Sequence, residues 1–305
     1  EASDKKVPLI ERLRFLGIFS NNLDEFFKVR YATVQRIALS NKTGKKALGI
    51  SAEELLEQIT DKSISIQKDS LDVLNSILSE LKKENIFFID ENDVNNSQAD
   101  FLKEYFIQKV SPALVSIILS KSKKQDLKDN KAFLITKISF KNEENESIYA
   151  LIEIPQEIDR FVVLPFNGKT QYIMMLDDLI RFNSHLIFSM FNYSNIESHM
   201  VKITRDAELD FGGDVSKSYV NKIIESVKDR IKGDPVRMVY DKNIPKTTLD
   251  FLIERLNISS YDSLIPGGRY HRRRDYMNFP SINRNDLLYE KFKPLEIKGL
   301  SLEKN

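Results

Sequence analysis

The sequence predicts an α+β protein: an N-terminal all-α helical bundle followed by a mixed α/β domain with an antiparallel or mixed sheet. Three observations predict it. Leu9, Leu13, Leu16, Leu23, Phe27 and Val34 recur at spacings of three, four and seven, the pattern of a buried helical face. From Phe133 onward the period changes, and runs rich in β-branched and aromatic residues alternate with Asn, Glu and Pro. Strands and helices then intermix without the strict alternation of a doubly wound sheet.

Pro8 suits a first helical turn, where its missing N–H costs nothing, and helix runs from there to about Ala38. Ser20-Asn21-Asn22 interrupts it, because Asn competes for nearby backbone groups and disfavours a helix interior. The expectation is a break there, with a second helix capped by Asn22 and by Glu25 three residues on. A helix starting inside a bundle presents free N–H groups and a positive dipole end, a match for phosphate or nucleotide. Gly44 to Ser51 imitates a P-loop, but Ile50 stands where the phosphate-binding Lys belongs and no apolar strand precedes it, so it is not one. Ser51-Ala-Glu-Glu54 reads as a capping box for a long helix ending near Lys83.

Ile86–Ile89 opens the second domain, and Ser97 is expected to cap a helix reaching Val110 before Pro112. Strands are expected at 133–140, 148–154, 161–164, 172–175, 199–204 and 236–240, and helices at 179–190, 215–231 and 246–256. The division is 1–84 helical domain, 85–298 α+β domain, and 299–305 the start of something further.

Composition bounds the chemistry. The 305 residues are 41% hydrophobic and 10% aromatic, ample for sizeable cores, and 46 Lys plus Arg against 45 Asp plus Glu give a net charge of only +1. Global charge therefore predicts neither nucleic acid nor an anionic membrane as partner, and any polyanion site must be local. With no Cys, disulfides, thiolate metal sites and a Cys nucleophile are excluded. No apolar run is long enough to span a membrane, and a cytoplasmic location is the expectation. Of the three histidines, His185 reads as a helix-face residue and His199 as an exposed structural one, and neither has a metal-ligand spacing. His271 follows Gly267-Gly268 among Arg269, Arg272, Arg273 and Arg274. Those charges either form an anion site or alternate along a strand, half of them facing solvent. Arg30, eight residues after Asn22, either reaches a phosphate or pairs with a carboxylate such as Glu11. Arg205 and Asp206 read as an internal or interface ion pair. Asp177-Asp178 stands at a strand-to-helix junction, where carboxylates complement the dipole, so no metal is assigned.

Pro8 to Arg30, with its Ser20-Asn-Asn-Leu-Asp-Glu25 core, closely resembles the N-terminal signature of the long, histidine-phosphorylated polyphosphate kinases. Lys202 to Asp210 resembles that family's Thr-Arg-Asp-Ala-Glu segment, and Tyr261 to His271 with Met277 to Pro280 its Gly-Gly-Arg-Tyr-His segment. All three match in order and spacing. Arg272 to Arg274 depart from the pattern, in which Asn followed by an aromatic or basic residue is expected.

The resemblance implies an enzyme that reversibly moves the terminal phosphate of ATP onto polyphosphate, with Mg²⁺ and a phosphorylated histidine. The chain would hold the helical N-terminal domain and the dimerising head domain of four, with the nucleophilic histidine beyond residue 305, so it is expected to be a fragment inactive alone. It implies that Asn22 contacts ATP, while Arg30, Arg269 and His271 are candidate phosphate or polyphosphate contacts. Partners would be ATP/ADP and polyphosphate in a homodimer or homotetramer, with no nucleic acid and no transmembrane segment; peripheral membrane association stays open. The family's opening helix is missing, which predicts exposed apolar surface, or burial in a crystal contact, at Leu13, Leu16 or their neighbours. Two alternatives stand beside this reading: a non-catalytic interaction or scaffold module, and a polyanion-binding module using Arg269 to Arg274.

Overall fold

The computed structural model describes residues 1–39, 49–120, 127, 131–140, 147–206, 235–256, 258, 262–290 and 292. The helix expected at 215–231 and most of the glycine loop at 44–51 lie outside them. Helix α1 spans Leu9–Phe26, continues through a π-helical turn, Phe27–Tyr31, and passes into α2, Ala32–Leu39. Helix α3, Ala52–Lys83, starts where Ser51 Oγ accepts the Glu54 N–H at 3.1 Å. Helix α4, Asn96–Tyr105, is capped by Asn95 and not by Ser97. Asn95 Oδ1 accepts from Gln98 N at 3.1 Å while Gln98 Oε1 accepts from Asn95 N at 3.0 Å, so a reciprocal capping box forms two residues before the expected cap.

Two sheets organise the rest. Strand β1 (Ile86–Ile89) runs parallel to β6 (Gln171–Met175), which pairs antiparallel with β5 (Phe161–Val163). The six-stranded sheet has the order β2-β4-β3-β7-β8-β9, from β2 (Val115–Leu119), β3 (Ala132–Phe140), β4 (Ser147–Glu153), β7 (Tyr193–Arg205), β8 (Pro235–Asp241) and β9 (Ser263–Gly267). All its pairs are antiparallel except β8 with β9, so the sheet is mixed. The helix expected at 179–190 is two short ones, α5 (Leu176–Phe182) and α6 (Ser184–Ile187), and α7 spans Lys246–Arg255.

The helical part does not stand apart from the sheets. Ile10, Leu13 and Leu16 of α1 share a core with Leu74, Ile77 and Leu81 of α3, Ile86 of β1, Phe161 of β5, and Tyr276 and Phe279. Leu13 and Leu16 are 0% and 3% exposed, so the expected exposed apolar surface is not at those two but at their neighbour Ile18, 42% exposed. Their cover is the 3-10 turn Arg273–Asn278 with Phe279, which lies along α1. Gly17 makes that approach possible, since a Cβ there would sit 2.6 Å from Met277 N and 2.7 Å from Met277 Cγ. Backbone cannot give way as a side-chain tip can. Gly17→Ala is expected to destabilise by about 1–3 kcal/mol, read as a lower urea midpoint at unchanged slope.

Candidate functional site

Helix α1 presents two faces with different chemistry. It is unbroken from Ser20 to Glu25, so the expected break and the Asn22 cap are corrected: the residue before the helix is Pro8, and no dipole end opens at Asn22. The burial of Leu13, Leu16 and Phe27 outweighs the poor helix propensity of two asparagines, which together cost of the order of 1 kcal/mol. The irregularity falls later, in the π-helical turn, where Phe27 and Tyr31 both point inward with ring centroids 4.8 Å apart. Asn22 is exposed, and one turn to either side stand Ile18, 42% exposed, and Phe26, 37% exposed. Arg30 is exposed one further turn along, and Glu11 pairs with Arg14 at 2.9 Å instead of with Arg30. The outer stripe thus reads apolar, amide, aromatic, cation at four-residue steps.

The inner face is ionic. Asp24 is buried and accepts from both Lys202 of β7 and Arg237 of β8. Arg237 also donates to Thr204 Oγ1 at 3.0 Å, and its guanidinium lies 4.3 Å over the centroid of the Phe27 ring. Burial opposes ionisation of Asp24, but the two cations outweigh it and hold the carboxyl below its ordinary range. For Lys202 burial wins over the attraction of Asp24, with Arg237 adding repulsion, and its pKa is pushed down to about 8. One carboxylate shared by two cations from adjacent strands fixes the outer stripe relative to the sheet.

The Gly267–His271 segment leaves the end of β9 and binds elsewhere. Arg269 donates to Asp178 Oδ1 at 2.8 and 3.0 Å and also to Glu91, and the Tyr270 hydroxyl donates to Asp178 Oδ2 at 2.5 Å. Asp178 further pairs with Arg181 at 2.6 Å, and Asp177 with Arg160 at 2.8 Å. Both carboxylates sit in the first turn of α5, each engaged by arginine. His271 is 7% exposed; its backbone N–H donates to Met200 Sδ at 3.1 Å, and Nε2 has no hydrogen-bond partner among the described residues. Burial, then Arg273, push its pKa down to about 3, so the imidazole is neutral. Residues 271–274 are not an alternating strand. Arg272 pairs with Asp275 at 3.2 Å, and buried Arg273 donates to Ser70 at 3.2 Å.

Two other expectations change. His199 is not exposed: it lies inside β7 between Asp241, 3.2 Å from Nδ1, and Glu197, 2.8 Å from Nε2. Burial lowers its pKa, but the two carboxylates outweigh that and raise it above the usual 6.5. Its contribution to stability is thus complete below the unfolded pKa and is lost as pH rises through the folded one. Urea midpoints from about pH 5 to 9 are expected to fall more steeply across that window in the wild type than in His199→Gln. Asp206 binds Arg36 of α2, and Arg205 Nε donates to the carbonyl of Leu127 at 2.7 Å, so each ties β7 to a different element. His185 is exposed on α6.

No local pattern in the sequence joins Asp24, Lys202 and Arg237 into a unit. The available signal was a Lys and an Arg inside otherwise apolar strands, where an unpaired charge is too costly to bury.

This arrangement defines a mixed α/β protein whose first helix is clamped to a sheet by buried ion pairs. Residues 1–89 match the family description "Polyphosphate kinase N-terminal domain" and residues 97–279 match "Polyphosphate kinase middle domain". The chain belongs to the polyphosphate kinase family. The polyphosphate kinase of Vibrio cholerae is 39% identical over 301 residues, 97% of this chain and 42% of that protein. That of Escherichia coli K12 is 36% identical over 296 residues, covering 94% and 42%. The crystal structure of polyphosphate kinase from Porphyromonas gingivalis superposes with a TM-score of 0.77 at 22% identity, covering 97% of this chain and 41% of that one, and shows the same fold. The chain spans about two fifths of the length of these relatives.

Proposed function

We propose that this chain serves as the N-terminal and head portion of a longer enzyme that reversibly transfers the terminal phosphate of ATP to polyphosphate. Its own part is nucleotide binding and assembly, with the phosphorylated histidine supplied by further chain. The observation that carries the reading is the outer stripe of α1. Asn22 offers an amide donor and acceptor to a polar ligand edge, Ile18 and Phe26 offer apolar surface to a ring, and Arg30 offers a cation to a phosphate. The Asp24 network behind it holds the helix in register, so these groups are positioned before the nucleotide arrives. The Asn22→Ala variant of the full-length enzyme is expected to bind a non-hydrolysable ATP analogue roughly tenfold more weakly by calorimetry, the effect of one lost hydrogen bond with its desolvated partner. Unchanged affinity would favour the scaffold alternative.

Magnesium would enter with the ATP phosphates. Among the described residues no three His, Asp or Glu side chains gather to hold a metal, and Asp177 and Asp178 are already engaged by arginines. The same holds for a polyphosphate path through Arg269 and His271: Arg269 is committed to Asp178 and Glu91, and neutral, buried His271 carries no charge to offer. This moves weight from the polyanion alternative to the α1 stripe. For the assembly we favour a homodimer or homotetramer joined through the head. Supporting it, β2 is an edge strand among the described residues, with Val115, Ile117 and Ile118 exposed. No helix among the described residues is long and apolar enough to cross a membrane, and dependence on ATP suits the cytoplasm.

A further inference from the structure

Between α1, α3 and strands β7 and β8 lies a small cleft whose charge does not balance. Lys202, Arg237 and Arg273 line it, and Asp24 is the carboxylate among its lining residues. Arg273 has Ser70 as its hydrogen-bond partner and no carboxylate among the described residues. Among the described residues, three cations against one anion leave an excess of two positive charges in a place where burial has already pushed the Lys202 pKa down. Uncompensated buried charge costs several kcal/mol per ion, so a protein that keeps it usually supplies a counter-ion. Two buried polar atoms of residues on this cleft also lack hydrogen-bond partners among the described residues: Nε of Arg237, a residue 2% exposed, and Nε2 of His271, a residue 7% exposed.

We infer that this cleft is an anion site that takes a single small monovalent anion of the halide class. Size decides the class. The cleft is partly open, and its space for water-sized particles is about 20 Å³, which suits one compact ion beside the two donors. A halide is a single sphere, larger than water yet the most compact of the common anions, whereas a tetrahedral oxyanion such as phosphate is bulkier still. Water would satisfy the two orphaned donors but leave the charge excess. A halide satisfies both donors and cancels one of the two excess charges, since Arg237 Nε–H donates to it and the neutral His271 ring turns an Nε2–H toward it in the matching tautomer. The bound ion would tie together β7, β8, α3 and the segment after β9, joining in one place the elements that hold the inner face of α1.

The test needs no variant first. Crystals of the protein grown without halide and then soaked briefly in dilute sodium bromide are expected to give an anomalous peak within hydrogen-bonding distance of Arg237 Nε and His271 Nε2. In parallel, thermal midpoints in sodium chloride are expected to exceed those in sodium gluconate at equal ionic strength by roughly 2 °C, saturably. Arg273→Gln, which removes one cation from the cleft rim, is expected to halve that chloride-specific rise or more. Ordered water with no anomalous signal in the cleft overturns the inference, as does an equal midpoint in both salts. Should Arg273→Gln not fold, the wild-type bromide map decides alone.

Discussion

Asp24→Ala is expected to cost about 3–5 kcal/mol of stability, because it strands Lys202 and Arg237 as neighbouring cations in the interior with no carboxylate between them. Against a total of roughly 5–15 kcal/mol for a domain, that is enough to leave a large fraction of molecules unfolded on mild heating. The cause can be separated from simple loss of packing. Lys202→Met in the Asp24→Ala background removes one of the two stranded charges, so the double variant is expected to be more stable than Asp24→Ala alone. Urea denaturation of the four proteins in the cycle measures the coupling. A cost below about 1 kcal/mol for Asp24→Ala would mean that water or other groups already screen the pair, and that the network does not fix α1.

The second large effect belongs to Asp178. Its carboxylate is fully buried and accepts from Arg181, Arg269 and Tyr270 at once, gathering α5 and the segment after β9 around one charge. Asp178→Ala leaves Arg181 with the Ser198 carbonyl at 3.2 Å and Arg269 with Glu91, and a loss of about 3–5 kcal/mol is expected. Asp178→Asn should cost clearly less. Burial already raises the Asp178 carboxyl toward its neutral form, and an amide retains an acceptor oxygen of the same shape. Equal losses in the two variants, read from urea midpoints, would show that volume matters at this position and charge does not.

How much of this was legible depended on how local the cause was. Helix α3 could be read because its signals lie within it: the Ser51 cap and apolar residues from Leu55 to Leu81 at helical steps. Strands β3 to β6 could be read because β-branched runs end at turn residues. Strand β9 could not, since Pro266 argues against a strand; it is tolerated because β9 is the last strand of the sheet. Strand β2 followed Pro112 too closely and is too exposed to show a burial pattern. The cover over Leu13 and Leu16 comes from Arg273 to Phe279, far along the chain, and no periodicity within α1 announces it.

The site divides in the same way. The Asn22-bearing stretch stands out as a motif, but where two asparagines predict a break, tertiary burial of the opposite face keeps the helix whole. His199 was expected at the surface because its partner Asp241 belongs to a strand 42 residues away. Asp24, Lys202 and Arg237 each looked like an ordinary charged residue, and only the pairing of β7 with β8 under α1 brings them together.

Photolabelling the full-length enzyme with an azido-adenine analogue of ATP, followed by peptide mapping, tests the central assignment most directly. Competed labelling on the peptide carrying Ile18, Asn22 and Phe26 is the predicted result. Label that ATP displaces only from peptides outside Leu9 to Tyr31 would contradict it.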